Sequence, residues 1–569
     1  MFDTLIRGGW VVGGDGGPRR RADVGIEDGR ITDIGPDLDT AGATVLDADG
    51  RIVCPGFVDV HTHYDAQPFW DGTLSPSPLH GVTTVIGGNC GFTIAPLSDD
   101  PADGEYLMRM LSRVEGMPLE SLLEGVPWDW KSTAEFLDAV DPLLAINAGY
   151  KVGHSALRRV VMGEDAVQRE ATDAEVAAMA DLLRAGLAAG AMGFSSTWST
   201  THNDADGRPV PSRHASRSEL IDLCSVLVDF PGTGLEFLPG IGGPVDSESR
   251  QLLTDMSLAA GGRQLNWNVM QVTAGNVDEC LLKLEAGTHA AERGAKVGAL
   301  TVPMLIAARL SFASVFVLDA IPGWADVMFL PREEKKRILA DPVQRRRLDA
   351  LAQGDHPLRR LANWGALTIF DTVNPVNSRF DGRTVAHIAA ELGCDPFDAL
   401  LDIALADELQ TSFGRADEPS SREDWEARVR IWRDGRAVIG ASDAGAHLDL
   451  LATFNYPTRV LAEPVRLHGL LELEEAVHLM TAVQADLYGL VDRGRLHEGA
   501  HADVLLIDET AVDSNPVTMR PDLPGGAARL YAGASGIDEV LVAGIHVVEA
   551  GTFTRARPGR VLRSGTDSR

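Results

Sequence analysis

The sequence predicts an α/β protein, a (β/α)8 barrel carrying a small β-rich domain assembled from both termini. Three observations predict it. A long middle stretch alternates short apolar runs with helical patterns, and both ends of the chain read as short strands between tight turns. The length of 569 residues exceeds what one small core needs and suits roughly two to four domains, or one large barrel with a satellite.

At the N-terminal end, residues 5–12 read as a strand. Residues 22–26 and 31–34 read as the arms of a hairpin, because Asp28-Gly29 between them supplies the positive φ angles of a two-residue turn. Residues 502–508 and 538–548 have the same texture. The two ends are therefore expected to form one composite β-domain, 1–55 with 496–569, leaving 56–495 for the barrel. In the middle, residues 83–88, 366–370 and 437–440 read as buried strands. Residues 172–183 read as a helix opened by a Thr172/Glu175 capping box. Residues 320–360 differ: Arg332-Glu333-Glu334-Lys335-Lys336-Arg337 and Arg345-Arg346-Arg347 make a charged helical stretch. It reads either as an insertion or lid near the active face or as a solvated helix.

A net charge of −31 argues against nucleic acid or an anionic membrane as partner, since the summed field repels both. Aromatic residues at 6% leave no stacking surface for single strands. The five cysteines (Cys54, Cys90, Cys224, Cys280 and Cys394) are odd in number and scattered, which fits a reducing compartment. The first residues lack a basic start followed by an apolar core, and no apolar run reaches the ~18 residues of a membrane span. The expected location is the cytoplasm, and the expected partners are a small molecule and further copies of this chain.

The chemistry concentrates at strand ends. His61 and His63 follow Pro55-Gly56 and the apolar Phe57, Val58 and Val60. Alternate residues of a strand share a face, so both imidazoles reach one side, where a barrel keeps its active site. Asp443 closes another apolar run, Val438-Ile439-Gly440-Ala441-Ser442-Asp443, and is read as a metal ligand and proton acceptor. Cys90, among glycines in Gly87-Gly88-Asn89-Cys90-Gly91, is either a thiolate ligand or a small buried hydrophobe. His154 admits three readings: a ligand, a group that polarises an acyl oxygen, or a satisfied core histidine. His447 either orients substrate, supports the ligands or caps its turn. His202 and His214 bracket a Gly/Pro/Asp-rich loop that overhangs the site or is merely exposed.

Several stretches together resemble one family. Asp59-Val60-His61-Thr62-His63-Tyr64-Asp65, Gly88-Asn89-Cys90-Gly91-Phe92-Thr93 and Gly153-His154-Ser155-Ala156-Leu157-Arg158 are similar to the amidohydrolase superfamily, in its D-aminoacylase (N-acyl-D-amino-acid deacylase) branch. So are residues 382–386, 486–499 and 556–563, and the likeness runs from Leu5 to Arg563. The Asn-Cys-Gly segment is the most specific piece. The resemblance implies that the terminal domain is a β-sandwich. It implies zinc bound by His61, His63 and Asp443, with Cys90 in a bridging position. It also implies hydrolysis of N-acyl (D-)amino acids or related amides by a zinc-activated water, Asp443 serving as base and then acid.

The chain departs from the family on the fifth and sixth strands, where histidines are expected. Residues 232–239 and 263–271 contain none; Glu236 stands as an oxygen ligand, and Asn266 or Asn268 as a weak ligand or substrate contact. The expectation is one zinc ion rather than two, held by His61, His63 and Asp443 with Cys90 or Glu236. His154, Tyr64, His202, Asn268 and His447 are the substrate-side candidates. No arginine matches the family's carboxylate binder; the first after Asp443 is Arg459. Two other readings stay open: hydrolysis of a cyclic amide, lactone or other carboxyl derivative, and a binding protein that has lost its metal chemistry.

Overall fold

The computed structural model describes residues 2–240, 245–305, 308–313, 317–415 and 420–569. It is a mixed α/β fold. Its central strands are parallel and follow one another in chain order. Phe57–Asp59 pairs with Val82–Gly87, which pairs with Asn147–Tyr150. That strand continues past Lys151 as Val152–Gly153, which pairs with Gly193–Thr197. Gly234–Leu238, Gln264–Gln271, Lys296–Val302 and Ala437–Ile439 follow, each parallel to the one before. Beyond the last strand, Thr62 bridges Ala444 in parallel, and the Asp443 N–H donates to the His61 carbonyl at 3.1 Å. The end of the last strand is thus bonded to the end of the first.

These segments become strands for a visible reason. Every residue of Val82–Gly87 and of Gly234–Leu238 is buried. Parallel strands covered on both faces demand such continuous runs, rich in β-branched side chains such as Val82, Thr83, Thr84, Val85 and Ile86. Helices between the strands are closed by their own side chains. Thr172 and Glu175 form the expected capping box at the start of Asp173–Ala188, and Ser132 with Glu135 does the same for Thr133–Val140.

The two ends of the chain meet in one nine-stranded sheet. Val504–Ile507 lies antiparallel to Ile52–Pro55, and Thr4–Val11 runs parallel to Ile52–Pro55 on the other side. The hairpin Arg20–Glu27 with Arg30–Gly35 turns at Asp28 (φ +50°) and Gly29 (φ +72°), the positive pair expected there.

The charged stretch around 320–360 is neither a lone helix nor confined to those residues. Arg332–Ala340 and Pro342–Ala352 pack Leu339 and Leu348 into a core with Trp324, Trp364, Phe397 and Phe413. A three-stranded sheet of Arg309–Leu310, Ser412–Gly414 and Thr368–Asp371 belongs to the same body. Most of the charges occupy the outer faces, but Lys335 and Arg345 turn inward, donating to the Phe312 carbonyl at 3.0 Å and to the Leu339 carbonyl at 2.7 Å. Among the described residues this body meets the parallel strands' loops at Arg113 and at Leu450, among other places. Arg113 pairs with Asp319 and lies over the Phe329 ring at 5.1 Å, and Leu450, seven residues after Asp443, enters its core.

Candidate metal centre

The strand Phe57–Asp59 ends just before His61 and His63, and both rings are buried against each other edge to face, 5.3 Å between centroids. His61 Nε2 lies 3.1 Å from Asp443 Oδ1, and His63 Nε2 lies 3.4 Å from the same oxygen. Cys90 Sγ is 3.7 Å from His61 Nε2. His61, His63 and Cys90 each offer a donor atom within 4.8 Å of the others. The structure thus brings together four residues that are as much as 382 apart in sequence (61 to 443).

Local chemistry holds each one. Cys90 takes a left-handed backbone, φ +55°. Asn89 beside it donates to the carbonyls of Thr62 and Ile86, both at 2.9 Å, and accepts from Lys151 Nζ at 2.7 Å. The Glu236 carboxylate accepts the Cys90 backbone N–H at 2.7 Å, and Asn268 Nδ2 lies 3.5 Å from the thiol sulfur. Asp443 also has positive φ, +55°, and keeps 28% of its side chain exposed while both histidines are closed off. It is the donor that water and substrate can still reach.

The electrostatics fit a cation. Burial pushes the Asp443 carboxyl up, but the hydrogen bonds from His61 and His63 outweigh it and hold the group well below the usual carboxylate range. Burial holds the His61 imidazole down at about 4. Burial also opposes charge on His63, but Glu115 and Asp443 prevail and raise it to about 9. Burial, with Glu236, Glu115 and Asp443 around it, pushes the Cys90 thiol up. Burial raises Glu236 to about 7 and Asp59 to about 7. His61 Nδ1, Glu236 Oε1 and Asn268 Oδ1 are buried with no hydrogen-bond partner among the described residues. Two imidazoles, a thiol and a carboxylate, with raised carboxyls and the unpaired Glu236 Oε1 and Asn268 Oδ1 around them, are a set that suits a divalent ion.

A direct consequence is proton release on metal binding, because ligands must shed their protons first. At pH 7 His63 and Cys90 still carry theirs, and His61, at about 4, does not. Zinc titrated into the metal-free protein at pH 7 is expected to release at least about two protons. Apparent affinity should fall as pH is lowered below 9, about tenfold per unit for each displaced proton. Calorimetry in buffers of different ionisation heat counts the protons; a count near zero contradicts this arrangement.

The remaining candidates divide. His202 and His447 both feel the charges of Asp443 and His63, and burial lowers them to about 3 and about 4, so both are neutral. His202 is fixed by Thr197 Oγ1 at 3.0 Å and by the Phe92 ring. Tyr64 bonds Ser77 Oγ at 2.7 Å through its hydroxyl and lines a cavity with Gln67, Asp443, Ala446, Leu448 and Arg529. Asn266 is engaged elsewhere, with Gln264 and Tyr488. His154 is not brought to the cluster. Its Nδ1 meets Ser196 Oγ at 2.8 Å and its Nε2 meets Glu219 Oε1 at 2.9 Å, beside the Arg158–Glu219 pair. Both ring nitrogens are spent on a fully buried network, so the third of its three readings, a satisfied core histidine, is the one the geometry matches.

Two residues at the cluster had no place in the sequence reading. Lys151 is buried between Tyr150 and Val152, a charge inside an apolar strand run that was itself a signal. Glu115, just past the helix Pro101–Val114, is buried with Oε2 3.6 Å from His63 Nε2. Nothing in Arg113-Val114-Glu115-Gly116 marks it out.

The model of the amidohydrolase family matches residues 44–548, nearly the whole chain. The chain belongs to the amidohydrolase family. It is a hydrolase of carbon–nitrogen bonds in the D-aminoacylase branch. It is 30% identical to a D-aminoacylase of Alcaligenes xylosoxydans xylosoxydans over 99% of this chain and 97% of that one. A solved D-aminoacylase, 27% identical with a TM-score of 0.65 over 99% of this chain and all of that one, has a binuclear metal centre with one-metal activation and second-metal attenuation. The N-acyl-D-glutamate deacylase of Bordetella bronchiseptica, 26% identical with a TM-score of 0.66 over 99% of this chain and all of its own, was solved with zinc and a phosphonate that mimics the tetrahedral intermediate. These likenesses agree with the family read from the His61, Cys90 and Asp443 segments.

Proposed function

We propose that this amidohydrolase removes the acyl group from N-acyl-D-amino acids, using one zinc ion held by His61, His63, Cys90 and Asp443. The convergence of two imidazoles and the Cys90 thiol within 4.8 Å, with Asp443 against both rings, carries the reading. Zinc bound there supplies Lewis acidity toward the acyl carbonyl and makes water a nucleophile near neutral pH. Asp443, ionised and partly open, takes a proton from the attacking water and returns it to the leaving amine. Water adds to the acyl carbon, forming the new C–O bond, and the C–N bond then breaks as the amine takes the proton, giving a carboxylate and a free amino acid. His202 and His447, neutral and near Asp443, hydrogen-bond the substrate. Burial of His61 and His63 keeps bulk water from the two imidazoles.

One metal is favoured over two by the residues on the fifth and sixth parallel strands. Glu236 spends one oxygen on the Cys90 N–H, and Asn268 offers an amide where the family has imidazole. The parallel strands, bonded from last to first, support a closed (β/α)8 barrel spanning 56–495, with 1–55 and 496–569 as a β-sandwich. A cytoplasmic location is supported by five unpaired cysteines, four of them buried. None of the helices of the described residues is long and apolar enough to cross a membrane. A small-molecule substrate and a homo-oligomeric assembly belong to the same reading.

The test is a panel of N-acyl-D- and N-acyl-L-amino acids, with cyclic amides and lactones beside them, followed by amine or acid release. Turnover confined to the N-acyl-D series supports the proposal. Preference for a cyclic amide or lactone replaces it with the other hydrolase reading.

A further inference from the structure

Glu115 has a role that the eight-strand framework does not provide for. It lies outside the parallel strands, as the residue that caps the C-terminal end of Pro101–Val114, its N–H bonded to the Leu111 carbonyl. It is a carboxylate 3% exposed, and a buried carboxylate is costly unless something compensates it. Its partner is the His63 ring: at 3.6 Å the Oε2–Nε2 pair attracts as opposite charges but is too long for a hydrogen bond.

That spacing fits two ligands of a shared ion. Zinc bonds of about 2.0–2.1 Å put neighbouring nitrogen and oxygen donors of a five-coordinate ion, at angles of about 90–120°, about 2.9–3.6 Å apart, and a sulfur donor slightly farther. His61 Nε2–Asp443 Oδ1 is 3.1 Å, His63 Nε2–Asp443 Oδ1 3.4 Å, His63 Nε2–Glu115 Oε2 3.6 Å and His61 Nε2–Cys90 Sγ 3.7 Å. Glu115 stands beside His63 as Cys90 stands beside His61, although only Cys90 belongs to the group of donors that lie within 4.8 Å of one another.

The backbone is built to hold it there. The Glu115 carbonyl accepts the His447 N–H, which ties the helix end to the loop following Asp443. Gly116 has φ +57°, and a Cβ on it would stand 3.1 Å from the His447 Cα, so this approach needs glycine. On the other flank, Arg113 is clamped to Asp319 and Phe329 of the 309–414 body. Glu115 therefore sits on a segment anchored from both sides, with its carboxylate directed at His63.

We propose that Glu115 is a further ligand of the metal, delivered from outside the parallel strands by the Pro101–Val114 segment. The inference rests on the metal centre proposed above. It makes the 309–414 body part of the site's construction, since Arg113, two residues before the ligand, is held by it.

The test compares Glu115→Gln, nearly isosteric, with the unaltered chain. Zinc affinity is read by chelator competition, and cobalt(II) substitution reports ligand number through its visible absorption. Folding is followed by circular dichroism, and a crystal structure of the unaltered chain with zinc reads the site without any substitution. The proposal expects zinc affinity to fall at least about tenfold in Glu115→Gln, a changed cobalt spectrum, and Glu115 Oε2 at about 2.0–2.2 Å from the ion in the crystal. If the unaltered chain binds zinc while Glu115→Gln keeps the same affinity and spectrum, the Glu115 assignment falls and the metal centre stands. If Glu115→Gln does not fold, the crystal structure decides, and an ion more than about 3 Å from Glu115 overturns the assignment. If the unaltered chain binds no zinc or cobalt, both readings fall.

Discussion

Asp443→Asn is expected to lower kcat by about 10²–10⁴-fold while leaving the fold intact. The amide keeps the carboxylate's shape and can still meet His61 and His63. It cannot accept a proton from water or return one to the leaving amine. Asp443 is the one member of the cluster that combines ionisation with access, since it is held well below the usual carboxylate range and keeps 28% exposure. Steady-state kinetics with circular dichroism checks the prediction, and zinc content should be measured beside it to separate proton transfer from metal loss. Turnover within about tenfold of the unaltered chain removes Asp443 from the proton path.

The second large effect is on the metal itself. His61→Ala and His63→Ala each remove an imidazole from a set whose donors lie within 4.8 Å of one another. Each is expected to leave less than about a tenth of the zinc bound after dialysis, and to abolish turnover, since losing a ligand costs more than the roughly 10- to 100-fold in affinity that losing a ligand's supporting partner costs. Metal analysis of the dialysed variants reads this directly. Full zinc retention in both would mean the ion is held elsewhere.

The legible parts of this protein are those whose physics is local. The Asp28-Gly29 turn, the Thr172/Glu175 capping box and the all-buried run at Val82–Gly87 each follow from a few adjacent residues. His61, His63, Cys90 and Asp443 were legible for a related reason: a polar residue closing an apolar run sits at a strand end, and parallel strands bring their ends together. The meeting of both termini in one sheet was legible from matching strand texture at the two ends.

What escaped depends on long-range packing. Glu115 follows a helix, 25 residues beyond Cys90, and only the docking of that helix against the His447 loop turns it toward His63. His154 follows an apolar run like the true cluster members, yet its partner Glu219 is 65 residues away and draws the ring into a buried network. The charged stretch around 320–360 concealed a core, because its apolar residues face Trp324 and Phe397, far apart in the chain. Strand ends announce themselves in sequence, whereas the residues that loops carry to them do not.

The most direct test of the account is the metal content of the full chain, purified without chelator and then titrated with zinc. The account predicts about one equivalent of tightly held zinc per chain, lost in His61→Ala and His63→Ala. A chain that carries no transition metal and takes up none on titration contradicts it.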